Sequence, residues 1–166
     1  MILYVLAISL PEKLNEIVRL VSLKTYYERT SYMKNPEILH IVITGVVSYS
    51  AIKNVIGELF HEEHGNEEKH VVVIQAVEPS IELEMYLHDP KHVTTVKYLN
   101  GNPMNPKDLE RGCTYESHRV IILADKNSHD ATLVDQNNIL KALAIKKYVY
   151  KNTGHNLRVC MQLIKP

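Results

Sequence analysis

Hydrophobic and polar positions follow two alternating patterns along this chain. Short continuous apolar runs, typical of strands buried on both faces, alternate with stretches in which apolar residues recur at helical spacing. Strands are predicted at 38–44, 70–77, 93–99, 119–124 and 157–164, with helices between them at 48–61, 80–88 and 130–148 and a loop with a short helix at 102–111. Strands separated by helices predict a parallel sheet flanked by helices, that is, a Rossmann-like α/β domain.

The first 36 residues follow a different pattern. Met1 to Leu10 are apolar, but a membrane-spanning helix needs about 20 such residues, and the basic start and cleavage site of a signal peptide are missing. The run is compatible with a strand or with the end of a longer hydrophobic helix. A capping box with a proline at Ser9 to Glu12 predicts that a helix starts there, and Tyr26 to Pro36 read as a polar connector.

Composition places the chain among ordinary globular proteins. Hydrophobic residues make up 45% and charged residues 23%, and the 19 basic side chains balance the 19 acidic ones. A nucleic-acid partner is disfavoured, because such proteins usually carry a basic excess. The two cysteines, Cys113 and Cys160, suit a reducing compartment, and Cys160 is predicted to be buried in an apolar strand.

The turn after the first strand disfavours nucleotide binding. A dinucleotide-binding fold has three glycines there, as G-x-G-x-x-G. This chain has Gly45 alone, with Val47 and Ser50 at the other two positions. The acid expected at the end of the second strand is replaced by Gln75, with Glu78 a little further on. A helix N-terminus at Ser48 is the one feature that suits an anion. A fold kept without its cofactor is the preferred interpretation.

Catalytic motifs do not appear either. The chain contains no G-x-S-x-G elbow, P-loop or H-E-x-x-H. Asp125, His129 and Asp130 are compatible with an acid–base pair, but Asp130 is also a natural N-cap for the long helix. No catalytic residue is predicted.

An acidic turn between the first helix and the second strand is the most distinctive cluster. Its glutamates are Glu58, Glu62, Glu63, Glu67 and Glu68. It suits a solvated turn, a zinc site that uses His61 and His64, or a calcium site. Calcium takes six to eight oxygen ligands, so distant groups would have to contribute to a calcium site.

Several stretches read together resemble one family. They are HIVITG, EPSIELEMYL, YLNGNPMNPKDLERG, RVIILADKNSHDATLVDQNNILKALAIKKY and VCMQLIKP. From about His40 to Pro166 the chain resembles the first RCK (regulator of potassium conductance) domain of a Slo-type calcium-activated potassium channel. The resemblance implies a cytoplasmic gating domain of a membrane channel, without enzymatic activity, in which the single-glycine turn is usual and no nucleotide binds.

The resemblance also implies a domain division and candidate ion ligands. Residues 1–36 are similar to the end of the pore-lining helix and its linker arm, and residues 37–166 to the RCK domain. Glu63 falls where the family places a calcium-sensing aspartate, and Glu58 on an acid that accompanies it. The remaining calcium ligands lie beyond Pro166 in the family. His70 and Lys97 occupy the two acidic positions of a low-affinity magnesium site, which is therefore expected to be absent.

The implied partners are the other RCK domains of a tetrameric channel and its pore-lining helix. Assembly needs an apolar surface, for which the long helix offers Ile139, Leu140, Leu143 and Ala144, although most of these are expected to face the sheet. Two other functions stay open: a nucleotide-binding regulatory domain of a potassium transport system, and a Rossmann-type enzyme such as a short methyltransferase. The activating stimulus (calcium, sodium, protons or none) is also open.

Overall fold

A sheet of five parallel strands forms the centre of the protein, in a computed structural model that describes residues 25–61 and 68–165. The strands are β1 (Leu39–Gly45), β2 (Lys69–Gln75), β3 (Val96–Asn100), β4 (Arg119–Leu123) and β5 (Arg158–Met161). Their spatial order is β3-β2-β1-β4-β5, so the strand order reverses between β1 and β4. This arrangement confirms the predicted Rossmann-like fold.

Helices cover the two faces of this sheet. They are α1 (Tyr26–Arg29), α2 (Tyr49–Leu59), α3 (Ile81–Leu87), α4 (Pro106–Arg111) and α5 (Ala131–Thr153), with a 3₁₀ turn at Thr114–Glu116. Side chains of α2 and α3 share one core cluster with the sheet, and side chains of α4 and α5 share the other. The protein therefore has three layers.

Alternate side chains of β1 pack in the two core clusters on opposite faces of the sheet. Ile41 and Ile43 point toward α2 and α3, whereas Val42 points toward α5. Successive side chains of a strand lie on opposite faces, so a strand covered on both faces carries apolar residues at most of its positions. The continuous apolar run predicted as a buried strand is explained in this way.

Element boundaries differ from the sequence prediction at several places, three of which change the picture of the fold. The third strand begins at Val96, because residues 89–95 form turns, the last of which is closed by the Val96 N–H on His92 O at 2.8 Å. The last helix continues to Thr153 and ends at Gly154, which has φ 72°. The last strand has only four residues and lies at the sheet edge, so Cys160 is exposed and the prediction that it is buried is wrong.

The long helix α5 is fixed to the strand ends by polar side chains. Asp130 caps it by accepting the N–H of Leu133 at 3.0 Å, the N-cap role foreseen for Asp130. The buried Asn138 donates to the carbonyl of Gln162 at 3.3 Å, and Asp135 accepts the N–H of Ile164 at 2.8 Å. These bonds tie the helix to the segment that follows β5.

The outer face of α5 is more apolar than the sequence predicted. Leu140 and Leu143 are 52% and 59% exposed, and Ile139 is 41% exposed. The expectation that most of these residues face the sheet is wrong, because Asn138, Ala142, Ile145 and Val149 fill the inward side of the helix instead. Across 25–61 and 68–165, the structure contains no helix whose length and hydropathy would let it cross a bilayer.

Candidate functional site

The turn after β1 lies where ligands bind in open α/β sheets, but its backbone is already engaged. Gly45 has φ 104°, and a Cβ built there would lie 2.1 Å from the carbonyl oxygen of Leu123. The N–H of the next residue, Val46, donates to that same oxygen at 3.2 Å. Val47 turns inward and is buried. The single glycine therefore serves close packing of β1 against β4, and the Val46 N–H is not available to a phosphate.

The helix that follows this turn is capped at its N-terminus by a side chain. Ser48 is the N-cap of α2, and its hydroxyl accepts the N–H of Ala51 at 3.2 Å. The anion site that remained possible at Ser48 therefore has one fewer free donor. A cavity of about 390 Å³ lies beside the turn, between Val46, Asn54 and the loop that follows β4.

The acid beyond the end of β2 is also engaged. Glu78, the residue considered for binding ribose hydroxyls, accepts hydrogen bonds from Asn100 at 2.7 Å and from Thr25 at 2.5 Å. Gln75 accepts the Tyr98 hydroxyl at 3.3 Å. Thr25 comes from the N-terminal part of the chain, so that segment engages the acid with which a dinucleotide fold would hold its ribose.

The acidic turn is described only in part. Glu63, like His64, lies outside the described residues. Glu58 lies on the last turn of α2 and is exposed, next to a cavity of about 600 Å³ whose wall also carries Lys69 and Arg119. Among the residues that the structure describes, no group of three or more acidic, histidine or cysteine side chains is placed to hold a metal ion.

His70 and Lys97, at the positions where the resemblance implied a low-affinity magnesium site, have defined contacts. His70 Nδ1 lies 3.0 Å from the Tyr32 hydroxyl. The Lys97 ammonium donates to the carbonyl of Val93 at 3.2 Å. Neither side chain supplies an anionic oxygen, so neither is a magnesium ligand of the usual kind.

Residues 25–36, called the strap below, are packed onto the domain. Tyr27 is buried in the core on the α2 and α3 face, where its ring meets the Tyr98 ring edge-on at 5.5 Å. Tyr32 is buried in the core on the opposite face. Helix α1 contacts the edge strand β3, so the strap passes around that edge from one face to the other. The polar connector expected here is a bound segment, held by its tyrosines.

One arginine of α4 is at the centre of the strap contacts. Arg111 donates to the carbonyl of Tyr27 at 2.9 Å and twice to the carbonyl of Thr30, at 2.8 and 3.2 Å. It also donates to the carbonyl of Asn100 at the end of β3, at 3.1 Å, and to Asp108 at 2.8 Å. Its own carbonyl accepts the N–H of Tyr32 at 2.8 Å.

A buried histidine lies under the strap. His40 is 1% exposed, its ring centroid is 5.0 Å from that of Tyr32, and neither ring nitrogen has a hydrogen-bond partner within the described part of the chain. Burial, with a contribution from the nearby Lys34 ammonium, lowers the pKa of His40 to about 4, although Glu116 and the backbone near Cys113 oppose the shift. His40 is therefore kept neutral at physiological pH.

Sequence reasoning singled out neither Arg111 nor the strap tyrosines. The available signal was weak: three tyrosines in a mostly polar connector, and an arginine in the last turn of a short helix. An arginine near a helix C-terminus is usually explained by the helix dipole. Its use as a donor to a distant segment depends on the fold.

The chain matches the family model described as the calcium-activated potassium channel slowpoke-like RCK domain over residues 38–161. It is 31% identical over 126 residues to the calcium-activated potassium channel slowpoke of Drosophila melanogaster, and 29% identical over 126 residues to slo-1 of Caenorhabditis elegans. These alignments cover 76% of this chain and 10% of each relative, so the chain spans about a tenth of their length.

A solved structure shares the fold at lower identity. The structure of the human SLO3 gating ring aligns with a TM-score of 0.55 and 18% identity, over 75% of this chain and 19% of that chain. Because the family model covers most of the chain, the chain belongs to the family of calcium-activated potassium channel slowpoke-like RCK domains.

Proposed function

We propose that this chain is the first RCK domain of a potassium channel, joined through its strap to the pore-lining helix. The observation that carries the proposal is the family match over residues 38–161. Residues 1–36 then comprise the end of the pore helix and the linker arm, and residues 37–166 the cytoplasmic regulatory domain. The role is to couple ion binding to pore opening, and no reaction is catalysed.

The strand ends support a regulatory rather than a nucleotide-binding role. The Val46 N–H is engaged by Leu123, and Glu78 is engaged by Asn100 and Thr25. A bound dinucleotide would have to displace contacts that hold β1 on β4 and the strap on the domain. The proposed domain therefore needs no nucleotide.

Calcium is the proposed activator, with Glu63 and Glu58 among its ligands. The relatives slowpoke and slo-1 are named as calcium-activated channels. Tenfold tighter binding to the open form contributes about 1.4 kcal/mol per site, and four such sites reach about 5.6 kcal/mol, close to the roughly 5.5 kcal/mol that moves a channel from 1:99 to 99:1 open. Four modest sites are therefore sufficient.

The test is patch-clamp recording of the full-length channel with varied internal calcium. We expect Glu63→Ala to remove most of the calcium-induced rise in the open-to-closed ratio, a rise of up to about 10⁴-fold for four sites, and Glu58→Ala to reduce it. Glu82→Ala, which removes an exposed acid on α3, is the matched control and should leave the response unchanged. A calcium response that survives Glu63→Ala at full size would remove Glu63 from the sensor.

Other RCK domains of the same channel are the proposed partners, and the outer face of α5 is the proposed contact. Leu140, Leu143 and Ile139 are exposed on one side of this helix, and contiguous exposed apolar residues are typical of protein interfaces. In the assembled channel this face would be covered by a neighbouring domain.

Cysteine labelling of the full-length channel tests this contact. We expect a cysteine introduced by Leu143→Cys to react with a maleimide roughly tenfold more slowly than one introduced by Asn152→Cys, because interface cores exclude water. Both positions are exposed on α5 in the single chain, and peptide mass spectrometry separates them from Cys113 and Cys160. Equal labelling rates would show that α5 is not covered in the channel.

A further inference from the structure

The guanidinium of Arg111 joins three separate parts of the protein. Its acceptors are the strap carbonyls of Tyr27 and Thr30, the carbonyl of Asn100 at the end of β3, and the carboxylate of Asp108. An arginine has five N–H donors, and the five hydrogen bonds from its side chain use all of them. The side chain is only 23% exposed.

The surroundings of Arg111 hold it in place. Asp108, which accepts from the guanidinium, also accepts the N–H of Asn102 and the side-chain amide of Asn105, each at 3.0 Å. The carboxylate is thus fixed to the loop between β3 and α4. Arg111 therefore projects from a rigid base toward the strap, and the strap is bound to that base through main-chain carbonyls that no side-chain substitution in the strap removes.

Besides these bonds, the strap is held by the buried rings of Tyr27 and Tyr32 and by hydrogen bonds that each reach a single strap residue. Thr25 donates to Glu78 at an exposed position, and the Tyr27 hydroxyl donates to Glu84 at 3.0 Å. Further along, the Cys113 thiol donates to the carbonyl of Tyr32 at 3.1 Å. Arg111 binds both Tyr27, which lies within α1, and Thr30, the C-cap of α1.

We propose that Arg111 is the latch through which movement of this domain is passed to the chain that precedes Thr25. This inference rests on the proposed function, in which that chain is the linker to the pore. The strap ends two residues before β1, so a fully released strap would add about 12 flexible residues between linker and sheet, with a reach of up to about 40 Å when extended. Such a segment absorbs a displacement, whereas the latched strap transmits it.

Arg111→Ala and Arg111→Lys test the latch in the full-length channel. Arg111→Ala removes all five donors, and Arg111→Lys keeps the charge but loses the planar fork that binds several carbonyls at once. Lys107→Ala, which removes an exposed cation from the same helix, is the control. We expect Arg111→Ala to reduce the ion-induced change in single-channel open-to-closed ratio by roughly tenfold, a typical coupling effect, with Arg111→Lys intermediate and Lys107→Ala unchanged.

Two measurements separate a coupling role from a merely structural one. The first is the single-channel open probability, recorded with internal calcium and, separately, with internal sodium. Open probability does not depend on how many channels reach the surface, so poor expression of a variant does not change it. Hydrogen exchange of the same purified channels should show faster exchange in peptides from residues 25–36 of Arg111→Ala and unchanged exchange in peptides from residues 39–45.

Three results would overturn the latch. In the first, the strap exchanges as slowly in Arg111→Ala as in wild type. In the second, the strap is loosened but the open-to-closed ratio keeps its full ion dependence. In the third, the wild-type channel responds to neither ion. The proposed function, which couples ion binding to pore opening, then fails, and the coupling role of Arg111 fails with it. The first two results leave the proposed function intact, so the two kinds of failure are distinguishable.

Discussion

Gly45→Ala is expected to abolish the stable fold of the domain or to lower its melting temperature by more than about 10 °C. The new Cβ would lie 2.1 Å from the carbonyl oxygen of Leu123, which is main chain and cannot turn away. The φ of 104° adds strain of about 1–3 kcal/mol for a residue with a side chain. Because the contact lies where β1 pairs with β4, relief requires separation of two central strands. The loss should exceed about 4 kcal/mol, which is exceptional for one substitution.

Two other glycines supply matched controls for this effect. Gly154 also has a positive φ, of 72°, but a Cβ there meets nothing within 4 Å, so Gly154→Ala should cost about 1 kcal/mol from backbone strain alone. Gly57 lies within α2 and also has open space around it, so Gly57→Ala should stabilise the domain by up to about 1 kcal/mol. Thermal unfolding followed by circular dichroism gives all three values. Equal melting temperatures for Gly45→Ala and Gly154→Ala would contradict the close packing of β1 on β4.

Acidification is expected to destabilise the domain through His40. The folded-state pKa of about 4 lies below the ordinary value of 6.5, so the unfolded chain takes up a proton first. The stabilising contribution is fully present above pH 6.5 and is lost as the pH falls through about 4. A shift of this size corresponds to about 3 kcal/mol of unfolding free energy. Since Tyr32 packs on this ring, protonation should loosen the strap together with β1.

A comparison of His40→Leu with wild type isolates this contribution. Denaturant unfolding at pH 7 and pH 4 should show that the difference in unfolding free energy between the two proteins moves by about 3 kcal/mol in favour of the leucine variant at low pH. Val42→Ala, which creates a cavity in the same strand, should lower stability by a similar amount at both pH values. Parallel stability curves for His40→Leu and wild type would show that the pKa of His40 is the same in the folded and unfolded chains.

The acidic turn shows that residue types alone can suggest an ion site but do not define it. Glu58 and Glu63 have the chemistry for calcium, but a single turn supplies too few oxygen atoms for a complete shell. The missing ligands must come from positions distant in sequence. The identity of these distant ligands cannot be inferred from the local pattern around Gly57 to His70. Calcium binding by Glu58 and Glu63 therefore stays a proposal.

The sequence by itself determined the element order and the layered α/β fold. Continuous apolar runs fix which segments are buried strands, helical spacing fixes the helices between them, and local caps such as Ser48 and Asp130 fix where two helices start. These features depend on neighbours within a few positions, which is why the pattern of one chain is enough to predict them.

Only the tertiary structure decided what those elements bind. Arg111 and the Tyr27 carbonyl that it holds are 84 positions apart, and no local pattern pairs them. The same holds for the burial of His40 under Tyr32 and for the engagement of Glu78 by Thr25. The exposure of Leu140 and Leu143 depends likewise on which side of α5 faces the sheet. The physical reason is that these contacts are created by the path of the chain around the sheet, and that path depends on the packing of all the layers together.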